Sequence, residues 1–158
     1  MTRNAVPLAL LPGLVNDEAL WSHQLTALAD LAECRVADLT QDDNVGDMAA
    51  RVLAMMPERF ALAGLSMGGY VAFEIMRQAP ERVERMALLD TKARPDTEEQ
   101  TARRRGLIEL AQKGDFKGVT ARLLPQFVHP DHAADPAIAD AVMQMAKRVG
   151  RDAFLRQQ

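Results

Sequence analysis

Between residues 6 and 89, short apolar runs alternate with segments of helical periodicity, and this rhythm constrains the fold more than any other feature of the chain. Val6–Leu11 is a nearly continuous apolar run that ends at Pro12-Gly13, the pattern of a buried strand closing in a turn. Trp21, Leu25, Leu28, Ala29 and Ala32 recur at helical spacing and predict a first helix. Residues 35–39 predict a second strand. Val45, Met48, Ala49, Val52, Leu53 and Met56 mark a second helix, which Asn44 and Asp47 open in the manner of a loose capping box. A third strand over 60–63, a third helix over 67–79 stopped by Pro80, and a fourth strand at Val83–Leu89 complete the series. Strand and helix in alternation give a parallel sheet, because each helix carries the chain back for the next parallel strand. The expected fold class is α/β: a doubly wound parallel sheet of about four strands with right-handed crossovers.

After Asp90 the pattern changes. Thr97-Glu98-Glu99-Gln100 is a capping box and opens a helix running to about Lys113. Asp115 is expected to cap another, with Phe116, Val119, Thr120, Leu123 and Leu124 along one face. Asp135-Pro136 begins a third, striped by Ile138, Ala141, Val142, Met145, Ala146 and Val149 and closed by Gly150. A fourth starts near Asp152. We therefore expect residues 1–95 to be the N-terminal part of an α/β core and 96–158 a helical cap segment. No strand in that segment returns to the sheet, so the fourth strand is expected to be an exposed edge, a candidate for self-association, and further C-terminal sequence is expected beyond it. The alternative is a minimal domain whose own helices cover that edge.

The net charge of −3 argues against a nucleic-acid partner, since phosphate binding needs a concentrated excess of Lys and Arg. The one basic run, Arg103-Arg104-Arg105, sits beside Glu98, Glu99 and Glu109 and reads as a solvated helix face. Cys34 is the only cysteine, which excludes an internal disulfide and suits a reducing compartment. The apolar stretch after Met1-Thr2-Arg3-Asn4 is too short for a signal-peptide core or a membrane span. A cytoplasmic location is expected, with no membrane partner, no cofactor and no metal. Met48, Met56, Met76 and Met86 fall in core-bearing elements; Met143 and Met145 are candidates for lining an acyl pocket.

The chemistry concentrates at Gly64-Leu65-Ser66-Met67-Gly68. By chance this Gly-x-Ser-x-Gly spacing would occur in about one such chain in twenty. Its placement between an apolar strand and an amphipathic helix gives it meaning. A sharp strand-to-helix reversal strains the serine and leaves no space for Cβ atoms two residues away on either side, so Gly64 and Gly68 remove the clashes. Gly69 lets the helix start pack closely. The hydroxyl then projects from the C-terminal rim of the sheet, beside the free N–H of Met67, which is suited to a developing oxyanion. Leu14 N–H, in Leu11-Pro12-Gly13-Leu14, is the candidate second donor; a plain turn is the alternative there. If the strand order is second-first-third-fourth, the crevice between the first and third strands brings Leu14 and Ser66 together.

These residues resemble the α/β-hydrolase superfamily, and most of all its single-domain esterases, thioesterases and aminoacyl-peptidases with a helical cap. Leu10-Leu11-Pro12-Gly13-Leu14, followed by Asp17 and Trp21, is similar to the family's oxyanion loop and first helix. Phe60 through Ala72 is similar to its nucleophile elbow, and Pro80-Glu81-Arg82-Val83 with Leu88-Leu89-Asp90-Thr91 to its next strand and exit. The resemblance covers residues 6–95. It implies that Ser66 is the acyl-forming nucleophile, with Leu14 and Met67 as oxyanion donors, in a serine hydrolase acting on a small carboxylic ester or thioester. Where many relatives carry His-Gly this chain has Pro12-Gly13, which keeps the backbone donor. The family's acid and its histidine in a Gly-His context have no counterpart in these 158 residues. His23 reads as a helix surface residue, and His129 and His132 as loop or pocket-wall residues, with a general base as the alternative; Asp90 follows the fourth strand, where some relatives carry the acid, and reads here as a strand-ending turn residue, with that acid role as the alternative. A catalytically inactive, hydrolase-like binding module is the alternative.

Overall fold

A computed structural model describes residues 5–114 and 116–158. Four strands, Val6–Leu11 (β1), Ala32–Val36 (β2), Phe60–Leu65 (β3) and Val83–Leu89 (β4), form one parallel sheet in the order β2-β1-β3-β4. The order reverses at β1, so the rim between the C-terminal ends of β1 and β3 is the switch point. There Leu11 pairs with Gly64, and across β3 Leu65 pairs with Leu89. β3 is apolar on both faces because it is central, and five of its six residues are buried.

Val45–Met55 (α2) and Met67–Gln78 (α3) cover one face. Their stripes, including Met48, Val52, Val71 and Ile75, pack on Ala9, Leu11, Phe60 and Leu62. Each fully buried Leu, Ile or Phe contributes about 1.5–3 kcal/mol relative to exposure. Asn44 caps α2 as its sequence predicts, accepting from Asp47 N–H at 2.9 Å. Arg82, just before β4, donates to the carbonyls of Leu53, Met56 and Pro57 and lies 5.6 Å above the Phe60 ring. One guanidinium thereby bonds Leu53 C=O near the end of α2 and the two carbonyls that follow the helix, and ties them to the start of β3.

The other face is thinner. A 3-10 turn at Glu18–Trp21 and the short Ser22–Ala27 helix (α1) bring Trp21 onto Leu10 and Ala63. The expected first helix is thus shorter than its stripe, and Ala32 belongs to β2. The second strand also starts earlier than residues 35–39 suggest: its register on β1 runs from Val6↔Ala32 to Leu10↔Val36. Sheet pairing overrides the local helical spacing here, and Asp38, accepting from the N–H and hydroxyl of Thr40, turns the chain after it. β4 is an edge strand, and Met86, Leu88 and Leu89 on it are 38–40 % exposed.

Beyond β4 come Glu98–Gln112 (α4), Pro130–Ala133 (α5) and Pro136–Gln157 (α6). The capping box forms at Thr97 and Gln100. Asp135 caps α6, and Gly150, at φ 77° and ψ 177°, breaks it where the sequence places the stop and restart. Asp115 lies outside the described residues. The helix expected after it does not form. Phe116, Val119 and Thr120 lie in irregular chain, Gly118 takes φ 64°, and the only regular piece is a 3-10 turn at Leu124–Gln126 with Pro125 inside it. A left-handed glycine interrupts the run before helical spacing can act. Phe116 and Val119 instead pack with Val15, Ala111, Ala146 and Phe154 in a second core.

Candidate functional site

Ser66 stands between β3 and α3 with φ 52° and ψ −111°, a conformation that residues with a Cβ rarely adopt. Such a backbone costs on the order of 1–3 kcal/mol and persists only when its surroundings over-determine it. They do so here through both polar backbone groups. Ser66 N–H donates to Leu89 C=O at 2.9 Å. Ser66 C=O accepts from the Thr91 hydroxyl at 2.8 Å and from Gly69 N–H at 3.0 Å.

The glycines divide the work by contact. A Cβ on Gly64 would meet the Gly68 carbonyl oxygen at 2.5 Å, the clash expected inside the bend. One on Gly68 would strike the carbonyls of Leu11 and Pro12, so this glycine seats the elbow against the exit of β1. One on Gly69 would run into the Thr91 side chain, so that glycine makes room for the residue that holds the serine carbonyl. Thr91 is a residue whose role the sequence reading missed. Its signal is a hydroxyl two positions past the apolar strand neighbouring the elbow.

The Ser66 side chain makes no capping bond to α3, and the residue is half-buried. Among the described residues, the amides of Met67 and Leu14 have no hydrogen-bond partner. Leu14 sits in the turn after β1. Its neighbour Val15, at φ 53°, is fixed from far along the chain: Val15 N–H donates to Gln157 Oε1 at 3.0 Å, and Gln157 Nε2 donates to Leu39 C=O at 2.9 Å. Gln157 is buried, and its amide bridges the loops that follow β1 and β2. Asp17, one turn on, accepts Ala19 N–H and receives the Arg148 guanidinium at 2.6 Å. Burial raises the Asp17 carboxyl, but the Arg148 and Ala19 hydrogen bonds and the Arg148 charge outweigh it and hold the group below its ordinary 3.8.

Ser66, Leu14 and Met67 line one cavity of about 300 Å³, together with Tyr70, Arg94, Asp96, Arg104 and Gln157. Leu14 also lines a second, apolar cavity of about 260 Å³ walled by Leu107, Leu110, Phe116, Leu123 and Phe154. The basic run is therefore not a uniform solvated face. Arg104 turns into the Ser66 cavity, paired with Asp96 at 2.5 Å, while Arg103 lies on the wall of the apolar one. Met145 is buried and Met143 half-buried, and neither lines either of these cavities.

No histidine lines the Ser66 cavity. His23, His129 and His132 are exposed; His129 accepts from Asp131 N–H and starts α5. Asp90 is an exposed turn residue at φ 42°. Among the described residues, no three His, Cys, Asp or Glu side chains gather as a metal site requires, and no helix is long and apolar enough to cross a membrane.

No protein-family model matches the chain. It is 28% identical over 96 residues to a pimeloyl-[acyl-carrier protein] methyl ester esterase of Nitrosomonas europaea, covering 56% of this chain and 38% of that protein. To the protein of the same name from Pectobacterium carotovorum it is 36% identical over 87 residues, or 50% and 34%. Among solved structures, a thermophilic esterase from Thermogutta terrifontis superposes with a TM-score of 0.81 at 25% identity, over 98% of this chain and 62% of its own. The enol-lactonase from Burkholderia xenovorans gives 0.82 at 20% identity, over 98% and 64%. The chain thus spans little more than a third of the curated relatives and under two thirds of these structures.

Proposed function

We infer, for a chain whose fold is that of the α/β-hydrolase superfamily, that it carries the nucleophile half of a serine hydrolase acting on a small carboxylic ester or thioester. The observation that carries this reading is the strained Ser66, held at the rim by Leu89 and Thr91 in one cavity with Leu14 and Met67. In the reaction the Ser66 hydroxyl attacks the ester carbonyl and its proton passes to a base. The tetrahedral oxyanion accepts from the Leu14 and Met67 amides, and the alcohol or thiol leaves with a proton to give acyl-Ser66. Water then releases the acid. In hydrolases, removal of one oxyanion-hole donor raises the barrier by about 3 kcal/mol. The apolar cavity that shares Leu14 offers room for an acyl chain.

No histidine lines the cavity, and its one carboxylate, Asp96, is paired with Arg104, so the 158-residue chain alone is expected to be slow. That same observation supports a second reading, a hydrolase-like binding module without turnover. Hydrolysis of a p-nitrophenyl ester, with and without added imidazole as a diffusible base, separates the two. The hydrolase reading expects slow turnover that imidazole raises in the wild type well beyond its effect on Ser66→Ala. Equal rates in both proteins at every imidazole concentration would leave only the binding module. Fast turnover without imidazole, lost in Ser66→Ala, would instead show that a base is present after all.

A further inference from the structure

Two arginines line the cavity that holds Ser66, and they are not in the same electrostatic state. Arg104 is neutralised: it pairs with Asp96 at 2.5 Å and sends a second N–H to the Gln158 side chain at 3.3 Å. Arg94 has only neutral acceptors, the Pro95 carbonyl at 3.2 Å and the Gln100 side chain at 3.4 Å, both long for charged donors. No described carboxylate pairs with it, and Asp96, the one acidic residue of the cavity wall, is already engaged. Pro95 follows Arg94, and Gln100, which it reaches, belongs to the capping box of α4. The cavity wall therefore includes one guanidinium with no described carboxylate partner.

We propose that the substrate is an ester bearing a free carboxylate, a half-ester of a short dicarboxylic acid, whose carboxylate is received by Arg94. The proposal rests on the reading of Ser66 as the reacting group. A planar guanidinium with unused N–H donors binds a carboxylate through two parallel hydrogen bonds, which fixes orientation as well as charge. The cavity of about 300 Å³ suits a short chain between carboxylate and ester. Arg94 is exposed, so water screens the pair and the preference is modest, about fivefold in affinity at low salt.

The test reads binding, which needs no catalytic base. Monomethyl glutarate and dimethyl glutarate are titrated into the 158-residue chain by protein NMR at low ionic strength and again in 0.5 M NaCl (roughly a 4 Å screening length). The half-ester is expected to bind about fivefold tighter, with the gap closing in salt, vanishing in Arg94→Gln and surviving in Arg105→Gln, whose side chain lies outside the cavity. Equal affinities in the wild type, saturation by neither ester, or an unchanged gap in Arg94→Gln would overturn the proposal. Labelling of Ser66 by a fluorophosphonate, run on the same sample with imidazole, reports separately on the serine. An adduct without a charge preference defeats the carboxylate alone, and a charge preference without an adduct defeats the nucleophile reading.

Discussion

The two halves of the chain are held by different forces. In the half ending at β4, apolar burial dominates: a central strand sealed on both faces and two helices whose stripes are buried against it. In the half beginning at α4, burial is less extensive and centres on the second core around Ala111, Val119, Ala146 and Phe154. α4 buries only Ala111, and much of what ties α6 to the sheet end is polar: Arg148 to Asp17, Arg156 to Thr40 C=O at 2.7 Å, and Gln157 to Val15 and Leu39. The first half fixes where Ser66 stands. The second fixes the loop that carries Leu14 and walls the cavity with Arg104 and Gln157. In this reading a nucleophile built by packing is completed by an amide whose loop is positioned by a few long-range hydrogen bonds.

Substitutions that separate these forces should differ in size. The largest effect is expected from Gly68→Ala, whose methyl would enter the backbone at Leu11 and Pro12. Main chain cannot give way as a side chain can, so we expect a loss of more than about 3 kcal/mol in urea denaturation, or no folded protein. Next comes Gln157→Leu, which keeps the volume but strands Val15 N–H and Leu39 C=O in a buried site. A loss of roughly 2 kcal/mol is expected by the same measurement, with faster hydrogen exchange over residues 13–17. An unchanged stability there would break the contrast, because it would show that the helical half does not set the Leu14 loop.

Thr91→Val tests the tie on the serine carbonyl. It should cost about 1 kcal/mol, recovered by Thr91→Ser. In α4 the expectation reverses. Gly106 lies mid-helix with open space where its Cβ would be, so Gly106→Ala should stabilise by about 0.5–1 kcal/mol. The two alanine substitutions, at Gly68 and Gly106, thus have opposite signs for one geometric reason.

The smallest effect concerns pH. The Asp17 carboxyl is held below its ordinary 3.8, so the unfolded chain binds the proton more readily than the folded one. Its contribution is complete above about pH 4 and disappears as pH falls through the folded value. Comparing wild type with Asp17→Asn in denaturant at pH 6 and at pH 3 should show a difference of about 0.5 kcal/mol that shrinks at the lower pH.

Legibility from sequence follows the same division. β1, β3 and α3 are read correctly because continuous apolar runs and a wide helical stripe leave one burial solution; β4 is legible from its Met86–Leu89 run although it lies exposed at the edge; and the elbow is legible because glycine spacing encodes backbone clashes directly. The start of β2 is not, because Ala32 fits a helical stripe as well as a strand and only its register on β1 decides. In the helical half the capping box at Thr97 and the break at Gly150 are local chemistry and can be read. The irregular run through Phe116 and Val119 cannot, since helical spacing is blind to the φ of 64° at Gly118. The cavity charges are equally hidden. Arg94, Asp96 and Arg104 come to line the cavity of Ser66 only through the crossing from β4 to α4, and a run of three arginines looks like surface until one of them turns inward.

The central claim is that the hydroxyl of Ser66 is the reactive group of this rim. Intact mass spectrometry after a fluorophosphonate probe, with imidazole present and the adduct located by peptide mapping, addresses it directly. The account predicts a single adduct, on the peptide containing Ser66, formed faster as imidazole is raised and absent in Ser66→Ala. An adduct on another residue, or labelling that Ser66→Ala leaves intact, would contradict it.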